Sequence, residues 1–103
     1  MARVEYVLPL GEQARKRHFH ETSRGTVVAF AVQLEIFLDG RWSPVVRFDS
    51  EHGFSHRDRF HRSGESRKEA LFSSFGEALT ADDEDILENW EGYRTRFLEG
   101  EWP

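Results

Sequence analysis

Residues 26–49 read TVVAFAVQLEIFLDGRWSPVVRFD, and how this stretch pairs with itself decides the fold. Val28, Phe30, Val32, Leu34, Ile36 and Leu38 are all apolar, while the alternate positions include Gln33 and Glu35. Side chains on a strand point to opposite faces in turn, so this is a long strand with one buried face. Asp39-Gly40 follows as a hairpin signal, and RWSPVVRFD supplies the returning strand. Residues directly opposite in an antiparallel pair share a face. A two-residue Asp39-Gly40 loop sets the two apolar series on opposite faces. A three-residue loop, 38–40, with a left-handed Gly40 in a bulge puts Val32 beside Val46 and Phe30 beside Phe48, and is the expected arrangement.

Outward from this hairpin the chain stays strand-like on both sides. Upstream, KRHFHET (16–22) divides into Arg17, Phe19 and Glu21 on one face and His18, His20 and Thr22 on the other, before a turn at SRG. RVEYVLP (3–9) reads as a short edge strand ended by Pro9. Downstream, FSHRDRFHR (54–62) alternates Phe54, His56, Asp58, Phe60 and Arg62 with Ser55, Arg57, Arg59 and His61. SRKE at 66–69 matches a capping box, with Leu71, Phe72, Phe75, Ala78 and Leu79 behind it as a helix stripe. Thr80 is placed to cap a second helix whose first turns hold Asp82, Asp83, Glu84 and Asp85, where negative charge complements the helix dipole. Its apolar stripe is Ile86, Leu87, Trp90, Tyr93, Phe97 and Leu98. The expected fold is a single α+β domain over residues 1–103: an antiparallel sheet of about four strands, followed by two C-terminal helices packed on one face.

Composition excludes several function classes. Cysteine is absent, which removes disulfides, thiolate metal sites and cysteine nucleophiles. No apolar run reaches signal-peptide or membrane-span length, so a cytoplasmic protein with no membrane association is expected. The net charge of −5 is unevenly distributed. Residues 1–68 carry 12 Lys+Arg against 9 Asp+Glu, and residues 69–103 carry 2 against 10. A basic surface from the first part and an acidic helical surface from the second would attract different partners.

The candidate chemistry lies in the strand-like run 54–62 and its partner strand. If Phe54 and Phe60 join the core, a five-residue loop, 49–53, is required, and Arg47, Arg57, Arg59 and His61 line the outward face near Glu35. A four-residue loop, 50–53, instead groups His56 and Asp58 with Arg47. The first arrangement is expected, because burying two Phe is worth roughly 1.5–3 kcal/mol each. Arginine grips phosphate in a bidentate fashion, so Arg47, Arg57 and Arg59 are the candidate phosphate or anion binders. For RNA cleavage, His61 or His56 with Glu35 supplies the residue types of an acid/base pair. His18 with His20, or His56 with Asp58, has spacing able to share an ion. Neither HExxH nor a cysteine pair occurs, and no metal or cofactor is expected.

The segment VVRFDSEHGFSHRDRFH, 45–61, resembles the TumE-type toxins of prokaryotic toxin–antitoxin pairs in its Arg-x-Asp strand followed by a His-rich segment. The matching positions are Arg47, Asp49, His52, His56 and His61; the family's adjacent paired histidines have no counterpart here. The resemblance implies an intracellular growth inhibitor acting on RNA or nucleotides and held by an antitoxin. The alternative expectation is a noncatalytic adaptor that binds another protein through its acidic helix or an exposed sheet edge. The partners under consideration are thus an antitoxin or other protein, RNA, and a second copy of the chain.

Overall fold

The structure is a computed structural model and describes residues 1–71 and 73–103. Six strands, β1 (Ala2–Gly11), β2 (Ala14–Ser23), β3 (Thr26–Leu38), β4 (Arg41–Asp49), β5 (Ser55–Phe60) and β6 (Ser66–Leu71), precede one helix, α1 (Phe75–Leu98). Every strand pairs antiparallel with its sequence neighbour, so the sheet is a meander in the order β1-β2-β3-β4-β5-β6. The α+β class and the antiparallel sheet are as expected. The number of strands and helices is not.

One of the extra strands, β6, comes from an ambiguity in capping. The pattern S-x-x-E occurs at Ser66–Glu69 and again at Ser74–Glu77. Only the second caps: Ser74 Oγ accepts the Glu77 N–H at 3.2 Å, and α1 starts at Phe75. Ser66–Leu71 is β6, pairing with β5 so that Arg57 lies opposite Glu69 and bonds to its carboxylate. A cross-strand ion pair of this kind favours strand pairing over local helix. Phe72, assigned by its spacing to a helix stripe, lies outside the described residues. At the other end, β1 runs through Pro9 to Gly11, because an edge strand tolerates proline where its missing N–H would face outward.

One helix replaces the expected two. Thr80 does not cap; its hydroxyl donates to the Gly76 carbonyl at 3.2 Å from within α1. Ala78, Asp82, Ile86, Tyr93 and Phe97 are the buried positions of that single helix. All but Asp82 pack with Phe30, Val32, Leu34, Ile36, Val45, Val46 and Phe48 into one core, chiefly over β3 and β4. Leu87, placed in the stripe by spacing, is exposed.

The β3–β4 hairpin reaches the expected matching of apolar faces by a different device. Asp39 and Gly40 both have positive φ (53° and 82°), the signature of a two-residue turn, and Leu38 pairs with Arg41. The extra residue sits instead in β4, where the register shifts between Leu34 and Glu35: Glu35 pairs with Pro44 and Leu34 with Val46. Val45 is the bulged residue, and both it and Val46 are buried. Beyond the bulge Val32 faces Phe48, two residues away from the expected Val46. Pro44 lies beside this irregularity, where its missing donor is tolerated.

The β4–β5 connection overturns the expected faces of β5. Asp49 pairs with His56, Phe48 with Arg57 and Arg47 with Asp58. Residues 50–54 form the connection and Ser55, already in β5, stays unpaired with β4; a 3-10 turn at Glu51–Gly53 has positive φ at both His52 and Gly53. The Ser50 hydroxyl ties the start of this loop to β3 by accepting the Phe30 N–H at 2.9 Å. Phe54 consequently stays 43% exposed, and His56 is completely buried. The expectation rested on the helix-facing side of β5 being apolar. That side in fact meets carboxylates of α1, which suit Arg57 better than phenylalanine.

A candidate site on the open sheet face

Because α1 covers one face only, the sheet has a helix side and an open side. On the open side β1 contributes Arg3, Glu5 and Val7, β2 contributes Arg15, Arg17 and Phe19, and β3 contributes Ala31, Gln33 and Glu35. β4 adds Arg47 and Asp49, and β5 adds His56 and Asp58. This alternation is the strand period carried across five strands. A groove of about 550 Å³ runs over this face, lined by Arg3, Arg17, Arg47, Phe19, Gln33 and neighbouring β1 residues.

The groove's arginines are held in place by carboxylates below or beside them. Arg47 Nε donates to Asp49 Oδ2 at 2.5 Å, and Asp49 is itself almost wholly buried. The other Asp49 oxygen lies 2.5 Å from His56 Nε2, although neither His56 nitrogen forms a hydrogen bond of acceptable geometry. His56 Nδ1 lies 3.7 Å from Asp58 Oδ1, and Lys68 Nζ is 3.8 Å from that same oxygen. His52 stands over this group, its ring centroid 6.3 Å from that of His56. Arg3 lies 4.4 Å from the Phe19 ring centroid and donates to Glu21 at 2.7 Å. Glu35 takes Arg15 at 2.6 Å, Arg17 at 3.2 Å and Gln33 at 2.6 Å. Burial alone would raise the Glu35 carboxyl, but the hydrogen bonds from Arg15, Arg17 and Gln33 outweigh it and hold the pKa below its ordinary value.

The sequence-derived candidates are therefore divided. Arg47, Glu35 and His56 lie on the open face, His56 beneath its surface. Arg57, Arg59 and His61 do not form an outward stripe. Arg57 and Arg59 turn to the helix side and meet Glu69. His61 follows β5, with Nε2 2.8 Å from the Gly100 carbonyl and its ring 5.1 Å from that of Trp102. No acid/base pair of His61 with Glu35 is assembled, and fully buried His56 offers no nitrogen to an outside polymer. The groove residues Arg3, Arg17, Phe19 and Gln33 were missed as site candidates. The period-two reading of 16–22 already put Arg17 and Phe19 on one face, but nothing in it gave that face to solvent.

Asp49, His56 and Asp58 are also the grouping, among the described residues, whose ligand atoms lie within 4.8 Å of one another and could hold a metal ion. Arg47 and Lys68 already supply positive charge to its two carboxylates. His18 and His20 share a face as expected, and His18 Nε2 is 2.7 Å from His20 Nδ1. Those rings belong to a different cluster on the helix side, where buried Lys16 bonds to Asp83 and His18 Nδ1 lies 3.5 Å from that carboxylate. Burial lowers the His18 pKa, with Asp83 opposing and Lys16 and His20 reinforcing the shift.

The geometry defines a one-sided α+β protein: a six-stranded antiparallel meander with a helix across one face and an arginine-bearing groove on the other. By sequence the chain belongs to the family described as a domain of unknown function, DUF7718, whose model matches residues 1–102. No curated protein and no solved structure matches it.

Proposed function

We propose that this protein binds single-stranded RNA on the open face of its sheet, as a toxin-like member of a toxin–antitoxin pair. The observation that carries the reading is the groove itself, in which three arginines and one glutamate surround a phenylalanine and a glutamine. Arginine forks suit phosphate, an aromatic ring on an exposed sheet suits base stacking, and a glutamine amide suits base edges. The Asp49 carboxylate and the His56 ring beneath it fix Arg47 in advance, which reduces the ordering cost of binding. Four of the five residues behind the TumE-type resemblance, Arg47, Asp49, His52 and His56, gather at this groove's edge, which supports the toxin-like assignment. Binding, and not cleavage, is the part of the expectation that the geometry favours, because His56 has no exposed nitrogen.

The test is fluorescence anisotropy with a short labelled single-stranded RNA at low salt. Binding should weaken at least tenfold in the double variant R17A/R47A, and the salt dependence should correspond to about two or three phosphate contacts, a log–log slope of about −2. Equal affinity in the double variant, or no binding by the wild type, contradicts the reading.

One observation favours a second role on another surface. Glu84, Glu88 and Glu91 all point outward from α1 and form an acidic stripe suited to a basic protein partner. Charge reversal at these three positions should abolish co-purification of such a partner while leaving RNA affinity unchanged; retained co-purification removes this role.

A further inference from the structure

The two edges of the sheet differ in kind. β6 is six residues long and presents Arg67, Lys68 and Glu69, charged residues of the sort that discourage edge pairing. β1 is ten residues long, and among the described residues nothing pairs with its outer edge. Val4, Tyr6, Val7 and Leu8 on it each keep between 39% and 43% exposure, on both faces of the strand. A long, apolar, unpaired edge is a template for another strand.

We infer that β1 pairs antiparallel with β1 of a second copy, about a two-fold axis through Val4, to form a continuous sheet across the dimer. Pro9 gives the direction of the free backbone groups. Its nitrogen has no hydrogen to donate, so it belongs on the outer side of an edge strand, and the same alternation turns the N–H and C=O of Arg3, Glu5 and Val7 outward. A two-fold axis normal to the sheet pairs residues of like parity and leaves three compact registers. Centred on Glu5, it sets Glu5 against its own copy, a like-charge pair. Centred on Tyr6, it sets Arg3 against Pro9, which cannot return a hydrogen bond. Centred on Val4, it sets Arg3 against Glu5 twice over and Val4 against Val4, with Ala2 against Tyr6 on the helix side. Charge selects the last, the register that sets each Arg3 against a Glu5 and leaves Pro9 outside the seam.

A closed, self-complementary contact of this kind ends at the dimer, whereas β1 joining β6 would propagate without limit. The pairing also brings the two open faces to the same side. Arg3 and Glu5 line the groove, so the groove of one copy would meet that of the other across the new seam, with basic residues of both facing one strand of ligand. The dimer does not depend on what that groove binds.

Light scattering coupled to gel filtration, without nucleic acid, tests the pairing. The wild type should run at twice the chain mass, and V4K, which places two lysines at the closest point of the seam, should run at the chain mass with an unchanged circular dichroism spectrum. R3E should likewise be monomeric, and R3E/E5R should recover the dimer. A monomeric wild type at NMR concentrations, a dimer indifferent to V4K, or a double swap that fails to recover it would overturn the inference.

Discussion

Asp82 is a carboxylate buried on the sheet-facing side of α1. Its place in the run Asp82-Asp83-Glu84-Asp85 suggested a charge at a helix start, with a sufficient explanation in the helix dipole. In the structure it occupies a core-facing position of α1, 7% exposed, with Oδ2 unpartnered. Burial and then the neighbouring Asp85 raise its pKa to about 7, with Arg57 only partly offsetting them. Tyr93, which donates to Asp85, is likewise pushed up to about 12 by burial and by that bond. Folding favours protonated Asp82, so its contribution is complete below the ordinary value of 3.8 and is lost as pH rises through about 7. His18 has the opposite sign, since its lowered pKa gives stability above 6.5 that is lost on acidification. Thermal unfolding of D82N should show a higher Tm than wild type at pH 8 and a flatter dependence between pH 4 and 7. Parallel wild-type and D82N curves would show that Asp82 is ionised throughout.

At the scale of elements, what was legible followed from strict periodicity. From Phe30 to Ile36 the even apolar series of β3 marked the buried face, which continues in β4 as the parity argument required, whereas Val28, at the Glu21/Thr22 register shift, is exposed. The strand faces of 16–22 were legible for the same reason. Where two local patterns competed, tertiary partners decided. Ser66 and Ser74 offer equivalent caps, and only the pairing of β6 with β5 shows which one is used. S74A should lower stability by about 1 kcal/mol, the usual value of a lost cap, whereas S66A on an exposed edge strand should stay within about 0.5 kcal/mol. Urea denaturation of the two variants distinguishes them, and the reverse order would restore a helix start at Ser66. The β5 faces were illegible because they depend on the residue count of a loop with two left-handed positions, His52 and Gly53. Nor could the sequence show that α1 would offer Arg57 carboxylates in place of an apolar surface.

For the whole molecule, the division of charge along the chain turns out to be internal as much as external. Lys16 and Arg57 of the sheet meet Asp83 and the Asp82–Asp85 group of the helix, so part of the basic first segment and the acidic last segment neutralise each other at their interface. No helix among the described residues is long and apolar enough to cross a membrane. The groove on the other face keeps Arg3, Arg17 and Arg47 together, and it is the face proposed to meet RNA. Amide and side-chain NMR shifts recorded while a short single-stranded RNA is titrated in test this most directly. RNA bound in the groove should perturb the signals of Arg3, Arg17, Phe19, Gln33 and Arg47. Perturbation centred on Arg57, Arg59 and His61, with the groove signals unmoved, would contradict it.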